Sequence, residues 1–295
     1  MEMQTLEQLL DCSFVMVDKP QGPSSHEVAS WVKLLLGARK AGHSGTLDPN
    51  VSGVLPVGVG KATRLLPYLT SKDKKYVCLM RVGKALSFEE LSAIFELFTG
   101  IIVQTPPKMS AVKKVPRKRK VYYIKPLEIK DKKVLFEVHC EAGTYVRVLV
   151  SDFARHTCGA SMLELRRISV GHIGESDCHT LQQISDAMWR AKEKRDESEI
   201  RKILVPAVEA LSLPRIVLRA SAVEAVCAGS PLYAPGVSSF DEGISDGAKV
   251  ALTTEKGELV GVGLAIMPDG KMKSSGAIAL PKTIIMERGT YKRMW

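Results

Sequence analysis

The sequence predicts an α+β fold with a small β-barrel at its C-terminal end, on three observations. Capped amphipathic helices and alternating strand runs succeed one another without regular βαβ alternation. A charged-turn hairpin stands in the middle of the chain. After Leu211-Ser212-Leu213-Pro214 the texture changes to short alternating segments rich in turn residues.

Ser24-Ser25-His26-Glu27 has the S-x-x-E form of a capping box, and Val28, Trp31, Val32, Leu35 and Leu36 follow at helical spacing up to Gly37. Ser87-Phe88-Glu89-Glu90 opens a second helix the same way, carrying Leu91, Ile94, Phe95, Leu97 and Phe98 towards Gly100. Residues 74–82 read as a strand. Residues 120–129 and 133–143 read as a hairpin closed by Lys130-Asp131-Lys132. Residues 143–159 begin extended and turn helical, 164–171 read as a further strand, and 180–204 as one charged helical stretch. Beyond the boundary set near residue 211, strands are expected at 215–219, 248–254, 259–267 and 276–281. A short helix at 221–229 interrupts them, and nine glycines lie between 229 and 276. Such spacing favours a small barrel. The domains are therefore expected to be 1–210 and 211–295.

At 295 residues the chain can bury a sizeable core. No apolar run approaches the roughly 18 residues of a membrane helix, and the acidic opening MEMQTLEQLLDCSF lacks the basic start of a secretory signal. The six cysteines form no C-x-x-C pair, so buried reduced thiols in a cytosolic protein are expected rather than a zinc knuckle or a disulfide framework. A net charge of +10 favours a polyanionic partner, nucleic acid being the commonest.

Three segments could carry chemistry. In residues 113–120, six of eight side chains are Lys113, Lys114, Arg117, Lys118, Arg119 and Lys120. Charge this dense resists packing and suits phosphate contact; a solvated loop and a nuclear-localisation signal are the alternatives. In AGHSGTLDPNVSG (41–53), glycines at 42, 45 and 53 and Pro49 constrain the backbone around Asp48, with His43, Ser44 and Thr46 beside it. Asp-Pro alone is a common turn opener, but this gathering of polar groups on a glycine-framed loop also suits a site. In GTYVR (143–147), Arg147 stands where a strand runs into a helix. It could pair with Asp48 and orient it, or lay its stem on apolar neighbours with its head in water.

Together these segments resemble the TruB family of pseudouridine synthases, and within it the dyskerin-like branch found in H/ACA ribonucleoproteins. The resemblance runs from about residue 13 to the C-terminus. It rests on motifs in family order: VDKPQGPSSHEV (17–28), GHSGTLDPNVSGVLPVGVGKATRLL (42–66), KKYV (74–77), QTPPKMSAVK (104–113), RKVYYI (119–124), AGTYVR (142–147) and LRRISVG (165–171). It implies a mixed, largely antiparallel synthase sheet flanked by helices, then a PUA domain ending in TYKRMW. It also implies that Asp48 is catalytic, that Tyr76 lies against the target base, that Arg147 pairs with Asp48 with support from Tyr145, and that Leu165 lines the pocket. Lys19 and Pro20 belong to a motif read as structural. His43 and the basic residues 113–120 are expected to contact RNA. No metal or other cofactor is implied.

The TDTxDxxG-like segment of stand-alone TruB enzymes is missing after residue 82, and the stretch between SAVK and VYY is short and basic. The guided branch is therefore favoured. Its expected partners are an H/ACA guide RNA, substrate rRNA or tRNA, and small partner proteins on the catalytic domain, in the cytoplasm of an archaeal cell. A guide-independent tRNA synthase and a non-catalytic RNA-binding scaffold are the alternatives. Two departures from the family stand near the pocket: the segment from Arg147 to Leu165 is one residue short, and Ser161 replaces a more frequent histidine. The N-terminal extension is also short, so its packing on the PUA domain is expected to differ.

Overall fold

The computed structural model describes residues 4–107, 112–272 and 276–292. The N-terminal helix α1 (Leu6–Asp11) and the first strand β1 (Cys12–Lys19) lead into α2 (Ser25–Leu36). Ser24 and Glu27 cap α2 reciprocally, and Gly37 ends it at φ 64°, as its sequence signals require. The chain continues through β2 (Ala41–His43), β3 (Val51–Gly60), α3 (Leu66–Thr70), β4 (Lys74–Val82), α4 (Phe88–Glu96) and β5 (Gly100–Gln104). The hairpin of β6 (Arg117–Lys130) and β7 (Lys133–Cys140) turns on Asp131, at φ 53°. Then come α5 (Val146–Phe153), β8 (Ala160–Val170), β9 (Ile173–Gly174), α6 (Leu181–Glu193), α7 (Ser198–Ile203), β10 (Val205–Pro206) and α8 (Ala207–Leu211).

These strands form one sheet in the order β10-β1-β3-β8-β4-β7-β6-β5, with β2 on β3 and β9 on β8. Its β3–β8 pair is parallel and the remaining strand pairs are antiparallel, so the expected mixed, largely antiparallel sheet is present. On one face Val15, Val17, Leu55 and Val57 pack against α1, α2, α6 and α7. Further along that face, Tyr76, Cys78, Met80, Phe136 and Val138 pack against Phe95 of α4 and Leu149 and Phe153 of α5. The site forms where these two helical layers part.

A second sheet follows: β11 (Arg215–Leu218), α9 (Ala220–Cys227), β12 (Leu232–Tyr233), β13 (Val237–Phe240), β14 (Lys249–Thr254), β15 (Leu259–Ala265) and β16 (Ala277–Ile284). Its strand order, β12-β16-β15-β14-β11-β13, curls into a barrel-like sheet around Leu218, Val250, Val260 and Ile278. The sheets meet on the back of the first one, where Val262 and Ile285 join Phe14, Met16, Val54 and Leu211. Tyr68 and Thr283 share a 2.8 Å hydrogen bond across this contact, and Lys61 bridges Asp11 and Glu287 at 2.7 and 2.9 Å.

Three expectations need correction. The stretch 180–204 is two helices: Arg195 turns left-handed at φ 55°, and Asp196 accepts a hydrogen bond from the Ser198 amide to start the second. The basic segment is only partly a loop, because Arg117–Lys120 begin β6 and pair with β5. Of the six free cysteines, Cys158 is exposed, held on a left-handed turn at φ 56° between α5 and β8.

Candidate active site around Asp48

Asp48 lies in the turn between β2 and β3 with its side chain 50% exposed. Main-chain bonds set the turn: Ser44 N–H to the Pro56 carbonyl at 2.8 Å, Val51 N–H to the Asp48 carbonyl at 3.0 Å, and Gly22 N–H to the Pro49 carbonyl at 2.9 Å. Gly45 supplies the left-handed residue, at φ 73°.

Three buried side chains then fix the turn from beneath. The Ser25 hydroxyl, in the first turn of α2, brackets Leu47, accepting from its amide and donating to its carbonyl. Lys19, fully buried, donates to the carbonyls of Pro20, Pro49 and Val51 at 2.8, 3.2 and 2.8 Å. Arg167, 1% exposed, donates to the carbonyls of Val54 at 2.8 Å and Gly45 at 3.1 Å and hydrogen-bonds the Tyr76 side chain. Both cations are solvated by carbonyl oxygens in place of water. Burial pushes the Lys19 ammonium below its usual range, and the nearby Asp48 charge opposes that shift. Burial pushes the Tyr76 phenol up, and Arg167 partly offsets it. Lys74 is a third buried cation. It donates to the Thr70 and Lys72 carbonyls at 2.6 and 2.5 Å, and burial, then Arg167, bring it down to about 8.

Arg147 reaches Asp48 from the first turn of α5, its guanidinium bonded to Asp48 Oδ2. Its Nε is buried and has no hydrogen-bond partner among the described residues. Tyr145 is the N-cap of α5, and Gln104 holds its main chain from both sides: Tyr145 N–H donates to Oε1 at 2.9 Å, and Nε2 donates to the Tyr145 carbonyl at 3.2 Å. Leu165 lies opposite Val51 on one side and Cys78 on the other. It belongs to the same buried cluster as Leu47, Tyr76 and Val146. Asp48, Tyr76, Arg147 and Leu165 of the sequence-predicted set therefore stand together, Tyr145 is placed by its main chain, and Arg147 takes the paired alternative.

His43 closes β2, half-buried, with Nδ1 unpartnered among the described residues. Burial, then the charges of His26 and Arg167, push its imidazole below the usual range. The basic residues divide. Lys113, Lys114, Lys118 and Lys120 are exposed, whereas Arg117 and Arg119 are half-buried. The Arg119 guanidinium lies against Gly143, where a Cβ would stand 3.2 Å from Nε and Nη2. Among the described residues, no three His, Cys, Asp or Glu side chains cluster as a metal site requires.

Sequence reasoning missed Ser25, Gln104 and Arg167. Strand alternation could have found Arg167, since it shares a face with Leu165 two residues earlier. Nothing local marks Gln104.

The profile of the TruB family pseudouridylate synthase N-terminal domain matches residues 33–90 and 83–146. That of the tRNA pseudouridylate synthase B C-terminal domain matches 147–212, and the PUA profile matches 214–278. The class of protein is thereby defined: a pseudouridine synthase carrying a PUA domain. The "Probable tRNA pseudouridine synthase B" of Methanosarcina barkeri is 45% identical over 298 residues, covering 100% of this chain and 88% of that protein. Its namesake in Archaeoglobus fulgidus is 42% identical over 294 residues, covering 98% and 90%. This chain belongs to the TruB family of pseudouridylate synthases. Among solved structures, a Cbf5-Nop10-Gar1 complex contains a chain that superposes with a TM-score of 0.88 at 40% identity, covering 97% of this chain and 89% of that one. An H/ACA RNP bound to a substrate RNA containing 2′-deoxyuridine contains one with a TM-score of 0.89 at 38% identity, covering 100% and 91%.

Proposed function

We propose that this chain is the catalytic subunit of a guide-RNA-directed H/ACA ribonucleoprotein and isomerises chosen uridines, mainly in rRNA, to pseudouridine. The observation that carries the catalytic part is the Arg147–Asp48 pair standing beside Tyr76 and Leu165. The guided part rests on likeness, along nearly the whole chain, to proteins solved within H/ACA complexes.

In this reading the target uridine leaves its stack, which costs a few kcal/mol, and Tyr76 and Leu165 receive the base. The glycosidic N–C bond breaks, the base turns, and a C–C bond replaces it; the joining ring carbon loses a proton and the freed nitrogen gains one. Asp48 serves as nucleophile or base, and Arg147 orients it. Base pairing with the guide supplies sequence choice, while the protein reads backbone and shape. Lys113, Lys114, Arg117, Lys118, Arg119, Lys120 and His43 are proposed RNA contacts. Residues 1–210 are proposed as the catalytic domain and 211–295 as the RNA-binding PUA domain and tail, a division supported by the change of sheet between Leu211 and Arg215. Partner proteins related to Nop10 and Gar1, and a cytoplasmic location, belong to the same proposal. No helix among the described residues is long and apolar enough to cross a membrane.

The test is a turnover assay on a designed RNA, with and without its matching guide and the partner proteins. Pseudouridine at the guided position only when the guide matches is expected. Equal turnover of free tRNA without guide would favour the stand-alone alternative.

A further inference from the structure

The root of the basic arm is bolted to the segment that carries Arg147. Gln104 ends β5 and is 3% exposed. Its carboxamide spends both ends on one residue, accepting from the Tyr145 amide at 2.9 Å and donating to the Tyr145 carbonyl at 3.2 Å. Gln104 also faces Arg117, the first residue of β6, across the β5–β6 ladder. Two residues further along β6, Arg119 lies against Gly143 of the same GTYVR turn. One residue beyond that, Lys120 N–H donates to the Glu141 carboxylate at 3.0 Å, and Glu141 N–H donates to the Lys120 carbonyl at 2.8 Å. Gly143 takes φ 81° between these two fastenings, and Thr144 folds its hydroxyl back onto the Glu141 carbonyl at 2.8 Å. The α5 N-cap is thus tied to β5 and β6, the strands that run into the basic arm.

We propose that Gln104 is a positioning residue that fixes the α5 N-cap, and with it Arg147, against the root of the basic arm. The inference rests on the pseudouridine-synthase reading above and goes further than it. A buried carboxamide with both ends on one peptide fixes that peptide's place and its tilt. Tyr145 is two residues before Arg147 at the start of a helix, so a small tilt of this peptide swings the guanidinium relative to Asp48. Displacements of about 1 Å at such a distance can cost about 100-fold in rate.

The test uses the full chain, assembled with guide RNA and partner proteins, and compares wild type, Gln104→Met, Arg147→Ala and the double variant. Gln104→Met keeps length and volume but loses both hydrogen bonds. The single-turnover rate at saturating RNA should fall about 10–100-fold while RNA affinity stays within about threefold of wild type. The same substitution should slow the Arg147→Ala enzyme by less than about threefold, because both changes act through one guanidinium. Full multiplication of the two losses, or a matching loss of RNA affinity, would overturn the inference. Amide hydrogen exchange across residues 144–149 of the free chain gives a readout that needs no turnover. Faster exchange in Gln104→Met is expected, and unchanged exchange would overturn the inference. If Gln104→Met does not fold, Gln104→Glu keeps the acceptor for the Tyr145 amide and loses only the donor, and the same cycle and exchange readouts apply to it. Absence of pseudouridine in the wild-type assembly would refute the functional reading alone, since the exchange result stands independently of it.

Discussion

The Ser25 hydroxyl and the Leu47 main chain exchange two hydrogen bonds, amide to hydroxyl at 2.8 Å and hydroxyl to carbonyl at 2.9 Å. The residue next to Asp48 is thereby locked to the first turn of α2. Ser25→Ala should leave a buried amide and carbonyl unpaired, costing about 1–3 kcal/mol in urea denaturation. Turnover should fall by more than that stability loss accounts for at 25 °C, because the turn that presents Asp48 is released. Unchanged stability would show that the turn is held elsewhere.

Arg167 ties the Tyr76 side chain to the Asp48 turn through the Gly45 carbonyl. Its charge eases the upward push that burial exerts on the Tyr76 phenol. In Arg167→Met, the alkaline titration of Tyr76, followed by tyrosine-labelled NMR, should move to higher pH. Arg167→Lys should recover part of that shift. A titration unaffected by either change would contradict the contact.

Lys74 gives a pH signature with a definite sign. Burial lowers it from 10.5 to about 8 in the folded protein. Between those values the unfolded chain binds more protons than the folded one, so this group adds stability as pH rises from about 8 towards 10.5. Below about 8 the full penalty of a buried charge is present. The stability difference between wild type and Lys74→Met should therefore shift in favour of wild type as pH is raised from 7 to 10. A flat difference would place the ammonium in solvent.

The basic segment should behave as two kinds of residue. Lys118 and Lys120 are exposed, while Arg119 packs against Gly143. Replacing both lysines by alanine should weaken RNA binding for every sequence and lower the salt slope of log K by about 1–2. Arg119→Ala should cost turnover as well, because the GTYVR turn loses its support. Equal effects from all three positions would contradict this division.

The helices were legible because their ends are written in local chemistry: Ser24/Glu27 and Ser87/Glu90 each form the reciprocal cap their spacing announces. The β6–β7 hairpin was legible from alternation and a charged turn. By contrast β3, in the heart of the sheet, contains Gly53, Pro56, Gly58 and Gly60, residues that weaken a strand pattern, and no strand is expected there from the sequence. Tertiary contact explains two of them. A Cβ on Gly53 would stand 2.1 Å from the Arg167 carbonyl, and one on Gly60 2.1 Å from the Asp11 carbonyl. Asp48, Tyr76, Arg147 and Leu165 were legible through motif order. Their supports were not, because Ser25, Gln104 and Arg167 act through main-chain atoms 22, 41 and 122 residues away. Such bonds are set by folding: alternation with Leu165 marks the face of Arg167, but not its partners Val54 and Gly45.

The most direct measurement is the yield of pseudouridine at a guided position when wild type and Asp48→Asn are assembled with the same guide, substrate and partner proteins, with RNA affinity measured in parallel. The account predicts guide-dependent conversion by wild type, no detectable conversion by Asp48→Asn, and RNA affinities within about threefold of each other. Wild-type-like conversion by Asp48→Asn would contradict it.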